Sequence, residues 1–384
     1  MRFIAALQSC IVGRGGLLPP YDKKCSKKRN FEINGTDMKK LFSLLLVLSL
    51  LLGGCSFGTK EETYGSPADG QQLTIHFIDV GQADCALLSC GGEYILIDGG
   101  NVADSSLVVS YLEKQGVTQL KAVIATHAHE DHVGGLPGVL AVYETMAVYA
   151  PTKTYASNCF DDFVYYADQQ GLDITIPAPG HKFTFGGATV TVLGPVKSYA
   201  ETNNTSLVLM VEFGSTKFLF TGDMEVTAEN DMLEYWGENF DWHADVLKVG
   251  HHGSDTSTGY RFLRAVMPAY GIISVGQGNS YGHPCEAPLS KLEDAEVTIF
   301  RTDKLGTIIA TSDGQQVNVG CPSGGTPDVP TGTAPAITYI GNINSKKLHV
   351  DGCSSLPKEE NRTYFDDYDT AIAAGYTPCS KCLG

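Results

Sequence analysis

An α/β sandwich over residues 73–312, followed by a small cysteine-bearing module over residues 337–384, is the architecture this sequence predicts. Three observations carry it. Short β-prone runs come in two successive groups, each with helical patterns, as expected where helices cover the faces of packed sheets. The stretch from Cys321 to Ala336 is broken by Pro322, Pro327, Pro330 and Pro335 and by the pair Gly324-Gly325, and reads as a linker, assigned to residues 313–336. Beyond it, histidine and cysteine recur at metal-ligand spacing in a segment too short to build much core.

The elements follow in order. Residues 73–78, 85–88 and 94–97 are the first strands, separated by turn residues. Residues 106–115 form a helix stopped by Gly116. The apolar run 120–125 reads as a buried strand, after which Gly134, Gly135 and Pro137 lead into a helical pattern ending near Tyr143. Residues 147–150 are a short strand, and 161–170 a helix ended by Gly171. The second group holds strands 189–193, 206–213 and 217–221, a helix over 226–236, and strands 245–249 and 270–275.

Upstream, Met38-Lys39-Lys40 precedes an apolar run over 41–52 that ends in Gly53-Gly54-Cys55. The run falls short of the roughly 20 apolar residues of a transmembrane helix. Leu52-Gly53-Gly54-Cys55 resembles a bacterial lipobox, which implies a lipoprotein signal peptide over 38–54 and a lipid on Cys55. The expected location is the bacterial cell surface, with the membrane as partner and residues 55–72 as a tether. Met38 is the expected start, and residues 1–37 a misassigned extension. Nine of the 27 Lys/Arg and three of the 43 Asp/Glu precede residue 55, leaving 18 basic against 40 acidic groups and a net charge of −22. Such a surface repels phosphate backbones at long range, so any nucleic acid must be held locally and not by a broad basic face.

The chemistry is concentrated in His127-Ala128-His129-Glu130-Asp131-His132, at the end of the predicted strand 120–125. A loop at a strand end can turn alternate side chains toward one point, so that His127 and His129 share one cation while Asp131 and His132 reach a second. Imidazole nitrogen and carboxylate oxygen suit zinc, manganese or iron in an open catalytic site. Three further pieces fall at strand ends: Asp98 with Gly99-Gly100, Asp223 in a Thr221-Gly222-Asp223 turn, and His251-His252-Gly253-Ser254.

Together these motifs resemble those of the metallo-β-lactamase superfamily, which implies a four-layer αββα sandwich with metals at one edge. Within it, Phe77-Ile78-Asp79-Val80-Gly81-Gln82-Ala83-Asp84, Gly282-His283-Pro284 and Arg301-Thr302-Asp303 are most similar to the extracellular hydrolase domain of the ComEC competence-protein family, with Ala83 where that family has glycine. That family's polytopic membrane channel has no counterpart here, so a free-standing relative is expected. The resemblance implies two divalent transition metals, zinc or manganese. His127 and His129 would bind one, Asp131 and His132 the other, with Asp223 between them. His251 would complete the second site, with His252 as the alternative. The lone third histidine of wider superfamily members is missing, because His181 comes too early and Asn203-Asn204-Thr205-Ser206 stands in its place; a weaker first site is expected. Paired metals suit phosphodiester hydrolysis, with Asp131 as ligand and orienting base. Asn204, Ser254 and His283 are candidate donors to a phosphate oxygen. Asp79 and Asp84 are expected to hold the first hairpin, and Asp98 to stand behind a ligand. DNA is the implied substrate. The alternatives are another ester, such as a lipid or teichoic-acid headgroup, and a nucleic-acid-binding protein with a degenerate hydrolase site; the intact H-x-H-x-D-H and Asp223 argue against degeneracy.

In the tail, His349, Cys353, Cys379 and Cys382 have zinc-ligand spacing, against a disulfide as the competing staple outside the cell. Tyr339-Ile340-Gly341-Asn342 and Ala371-Ile372-Ala373-Ala374-Gly375-Tyr376-Thr377-Pro378-Cys379 resemble the zinc-binding domain of the Ada DNA-repair protein, with His349 where Ada has its first cysteine. One structural zinc is implied. Residues 337–384 hold five Lys/Arg against six Asp/Glu, so any grip on DNA would depend on a local patch at Lys346 and Lys347.

Overall fold

A computed structural model describes residues 70–330, 339–350, 353, 355–365 and 368–383. The expected misassigned start, the signal peptide and Cys55 lie outside them. Among the described residues, no helix is long and apolar enough to cross a membrane.

Two sheets face each other. The first runs, edge to edge, Val317–Gly320, Ile308–Ser312, Leu73–Phe77, Ala86–Cys90, Glu93–Ile97, Ala122–Ile124, Val148–Tyr149 and Ile174–Thr175. The second runs Thr298–Arg301, Tyr270–Ile273, Val246–Lys248, Thr216–Phe220, Val208–Phe213, Ala188–Gly194 and Lys182–Phe185. Side chains alternate between faces with period two, and this sorts each strand's apolar residues into two cores. Leu73, Ile75, Ile95, Ile97, Ile124, Leu209, Phe218 and Phe220 fill the space between the sheets, where the rings of Phe77 and Phe220 stack at 5.7 Å. Their neighbours Leu87, Leu96 and Val123 point outward to helices Ser105–Lys114, Leu136–Val142 and Asn158–Gln169. On the far side, Met210, Leu219 and Leu247 meet helices Val226–Trp236, Tyr260–Val266 and Glu286–Asp294. The result is the four-layer αββα sandwich that the resemblance implied.

Each sheet combines an antiparallel meander with a run of parallel strands. In the first, Glu93–Ile97, Ala122–Ile124 and Val148–Tyr149 are parallel. In the second, the parallel run is Thr216–Phe220, Val246–Lys248, Tyr270–Ile273 and Thr298–Arg301. Ligand sites in such sheets form outside the carboxyl ends of parallel strands. The loops carrying Asp98, the H-x-H-x-D-H motif, Asp223 and the histidine pair all leave those ends.

Two sequence expectations need correction. The sandwich does not stop at residue 312: Val317–Gly320 pairs with Ile309–Ser312, its Val317 and Val319 packing on the core. Asp328 then exchanges backbone hydrogen bonds of 2.9 Å with Ile299, so the described part of the linker, to residue 330, lies along the sandwich. Val317-Asn318-Val319 alternates as a strand should, a signal outweighed in the sequence by the prolines after it. Nor is the tail free of the sandwich. Its small sheet, ordered Arg362–Phe365, Tyr339–Asn342, Lys347–Val350 and Thr377–Pro378, shares a cluster with Tyr260, and the Arg264 guanidinium lies 5.0 Å from the Tyr368 ring centre.

Candidate metal centre

The site begins with a backbone requirement. In the Thr221-Gly222-Asp223 turn, Gly222 has φ 52°, and a Cβ there would come within 3.0 Å of Ser206 Oγ and Thr126 Cβ. Gly135 touches the Asp98–Gly100 loop so closely that a Cβ would fall 2.0 Å from Gly99 O. Only glycine lets these loops approach, and their approach brings the ligand-type side chains together.

Asp131, His132, Asp223 and His252 each offer one ligand atom, and all four atoms lie within 4.8 Å of one another. His132 Nε2 sits 3.2 Å from Asp223 Oδ1 and 3.9 Å from Asp131 Oδ2. His252 Nε2 sits 3.2 Å from Asp131 Oδ2 and 3.6 Å from Asp223 Oδ2. His132 Nε2 and Asp223 Oδ1 are buried without a hydrogen-bond partner. Buried polar atoms left unpaired are costly, and a cation between them is the partner this donor set fits.

The far nitrogen of each imidazole is fixed. His132 Nδ1 donates to Asp98 Oδ2 at 2.8 Å, and Asp98 is held by Thr126 N–H and Thr126 Oγ, both at 2.7 Å. His252 Nδ1 donates to Ser274 O at 2.9 Å. Each ring therefore turns its Nε2 into the cluster, where it can ligate a metal once the cation displaces its proton. Asp98 thus lies behind His132, on the side of the ring away from the cluster.

The electrostatics follow. Burial alone would lower the His132 imidazole, but Asp223, Asp98 and Asp131 reverse that and hold it well above the ordinary histidine range. Burial would raise Asp223, yet His132 and His252 hold it well below the ordinary carboxylate range. The carboxylates impose so much negative charge that the pocket calls for positive charge, from protons or from a cation. At His127, burial and the neighbouring His132 push the ring well down, leaving it neutral.

His127 and His129 form a second group. His127 Nε2 lies 3.1 Å from His129 Nδ1 and 3.9 Å from Asp223 Oδ2, and His251 Nε2 lies 3.7 Å from the same oxygen. Asp223 thus sits between the two groups. These three histidines are more loosely gathered than the first four ligand-type residues. His181 stands apart, against Tyr149 and Phe183.

His252, and not His251, joins the first group. The two residues have φ of 50° and 54°, both left-handed, and this turns His252 inward while His251 stays at the rim with a side chain 22% exposed. Asn204 is also displaced from its expected role: it is buried, with Nδ2 donating to Glu225 Oε2 and Oδ1 accepting from Glu225 N–H, both at 3.1 Å. In the 3₁₀ turn Asn203–Thr205 adjacent side chains diverge, so Asn203 lines the cleft instead, with Nδ2 3.3 Å from His251 Nε2. Ser254 spends its hydroxyl inside its own loop, on Thr256. His283 does line the cleft, which measures about 370 Å³ and is shared with Gln82, His129, Asp131, His251 and Tyr281.

Sequence reasoning missed Lys248. It is buried, with Nζ 2.6 Å from Asp84 Oδ2, and Asp84 Oδ1 lies 3.4 Å from His252 Nδ1. Asp84 therefore bears on the centre beyond any part in the first hairpin; Lys248 and His252 hold its carboxyl well below the usual range against burial. The signal was present: a lysine inside the apolar run 246–249 must find a buried partner.

In the tail, one ligand atom from each of His349, Cys353, Cys379 and Cys382 lies within 4.8 Å of the others, with His349 Nδ1 3.4 Å from Cys353 Sγ. Three thiols and an imidazole at one point suit a closed tetrahedral zinc site, and a single disulfide would leave two of them without a role.

The family model of the metallo-beta-lactamase superfamily matches residues 78–277. The chain belongs to the metallo-β-lactamase superfamily. It is a hydrolase of that fold, and the fold implies divalent metals at the strand-end cluster. The family model described as the metal binding domain of Ada matches residues 340–383, where the histidine and cysteines converge. Among curated relatives, ComE operon protein 3 of Bacillus subtilis is 32% identical over 262 residues, covering 63% of this chain and 33% of that protein. Competence protein ComA of Neisseria gonorrhoeae is 29% identical over 235 residues, covering 60% and 31%. Recombination protein 2 of Haemophilus influenzae is 29% identical over 239 residues, covering 60% and 28%. The chain spans about a third of the length of these relatives. Among solved structures, the metallo-beta-lactamase fold protein YhfI from Bacillus subtilis is 14% identical, with a TM-score of 0.42, covering 65% of this chain and all of that one.

Proposed function

We propose that this chain is a metal-dependent phosphodiesterase acting on DNA, carried on the bacterial cell surface by a lipid on Cys55. The observation that carries the hydrolytic reading is the convergence of Asp131, His132, Asp223 and His252 at the floor of an open cleft, with His132 Nε2 and Asp223 Oδ1 buried and making no hydrogen bond. The DNA reading is supported by the relatives' names, which speak of competence and recombination.

Asp131, His132, Asp223 and His252 would hold the tighter cation, and His127, His129 and His251 with Asp223 a weaker one. Zinc or manganese bound there supplies Lewis acidity for a phosphoryl oxygen and lowers the pKa of water. The chain's own residues do the rest. Asp131, with a side chain 31% exposed to the cleft, is held by His252 and is ionised: burial pushes it up, but His132 and His252 bring it down to about 2. It can therefore accept a hydrogen bond from the attacking water and fix its direction. Asn203 and His283 offer donors at the rim for a non-bridging oxygen.

With metal-loaded protein, Asp131→Asn should lower turnover of a model phosphodiester and of DNA by at least about 100-fold. Unchanged turnover would remove Asp131 from this role, and turnover of a lipid or teichoic-acid ester without any of DNA would move the substrate class. For the anchor, Cys55→Ser should abolish incorporation of a labelled fatty acid; a protein unlabelled from the outset would refute the lipobox reading.

A further inference from the structure

We propose that Tyr281 and His283 form an aromatic ledge that stacks an unpaired nucleobase beside the metal centre, so that the substrate is single-stranded nucleic acid. This rests on the phosphodiesterase reading and adds strand preference to it.

Tyr281 is 71% exposed, the highest figure among the exposed large hydrophobic residues described. One exposed ring is unremarkable by itself; its setting is what matters. The ring stacks on His283 at 5.7 Å and 26°, and His283 stacks on His252 at 6.5 Å and 22°. Three near-parallel rings thus step from solvent to a residue of the metal cluster, along the wall of the cleft.

The loop that presents them is tied to itself. Asn279 Oδ1 accepts from the N–H of both Tyr281 and His283 at 3.1 Å, and Asn279 Nδ2 donates to Gly276 O at 2.9 Å and His283 O at 2.6 Å. Gly282, at φ 73°, takes the left-handed turn between the two rings. An aromatic face presented to water by a braced loop suits a planar partner, since the backbone that carries it needs little further ordering on contact.

Charge points the same way. Residues 55–384 carry −22, so the long-range attraction that usually draws a polyanion in is absent. Stacking of a base on an aromatic ring tolerates any sequence and needs no basic face. A base inside a duplex has both faces covered, so the ledge selects unpaired strands.

The test is equilibrium binding of dye-labelled oligothymidylate, an abasic backbone of equal length, and a fully paired blunt-ended duplex, read by fluorescence anisotropy with full-length, zinc-loaded protein. Wild type should bind oligothymidylate about 5- to 100-fold more tightly than the abasic strand or the duplex. Tyr281→Ala should erase that preference, and Tyr281→Phe should keep it. Equal wild-type affinity for base-bearing and abasic strands, or a preference that survives Tyr281→Ala, would overturn the proposal. Cleavage is followed in parallel. Base-dependent binding without cleavage of any strand would sink the phosphodiesterase reading and leave the ledge standing.

Discussion

The hydrolase cluster and the tail cluster gather metal-type side chains in opposite ways. The first joins Asp131 to His252 across 121 positions of sequence, and it depends on loops from both sheets meeting at one edge. It is rich in carboxylate and opens to a cleft of about 370 Å³. The second spans 33 positions from His349 to Cys382, is made of thiols and one imidazole, and serves a module whose buried hydrophobic cluster, among the described residues, holds Leu348, Ala371, Tyr376 and Leu383. An open site keeps a coordination position for chemistry, whereas a closed one supplies folding energy. On that ground the sandwich is expected to stay folded when metal is removed, and the tail to unfold.

The two clusters should come apart most clearly at the histidine pair. His252→Ala should remove most hydrolase-site metal and lower turnover by more than about 100-fold, while leaving zinc in the tail. His251→Ala should cost less in metal content, because its ring lies at the rim. Metal analysis and model-ester kinetics on the two variants check this, and a reversed order would return the ligand role to His251.

A smaller effect is expected from the other side. Cys379→Ser should lower zinc by about one per chain and open residues 339–383 to proteolysis. Turnover of a small ester should stay within about twofold. The sandwich should lose some thermal stability, since Tyr260 and Arg264 lose their contacts with the tail. Hydrolase activity lost in step with tail zinc would show that the two clusters are not independent.

The smallest effect sharpens what holds the sandwich edge of the site. Glu229, buried on helix Val226–Trp236, accepts Thr258 N–H at 2.6 Å and Gly259 N–H at 2.8 Å, just after the histidine loop. Burial, only partly offset by Gly259 and Thr258, pushes its carboxyl from 4.5 up to about 7. The folded state then holds a proton that the unfolded state releases, so stability falls as pH rises from 4.5 through 7, by up to about 3 kcal/mol. Urea unfolding of wild type and Glu229→Gln across that window should differ in slope, with the variant flatter. Parallel slopes would show that Glu229 ionises alike in both states.

How much could be read beforehand followed range along the chain. The H-x-H-x-D-H loop, Asp98 and Asp223 were legible because each follows an apolar strand, and strand ends are where such folds keep their ligands. The choice between His251 and His252 was not, because two successive left-handed residues reverse which side chain turns inward. Asn203 and Asn204 were exchanged for the same kind of reason, a 3₁₀ turn whose direction composition does not show. Asp84 was read as a hairpin residue, since its partner Lys248 lies on the other sheet. The docking of the tail rests on Tyr260 and Arg264, which carry no motif at all.

Anomalous scattering from crystals of zinc- or manganese-loaded protein locates the tighter cation. The expected peak is bounded by Asp131, His132 Nε2, Asp223 and His252 Nε2, and is stronger than any at His127, His129 and His251. A sole hydrolase-site peak at those three histidines, or none beside His132 and His252, would contradict it.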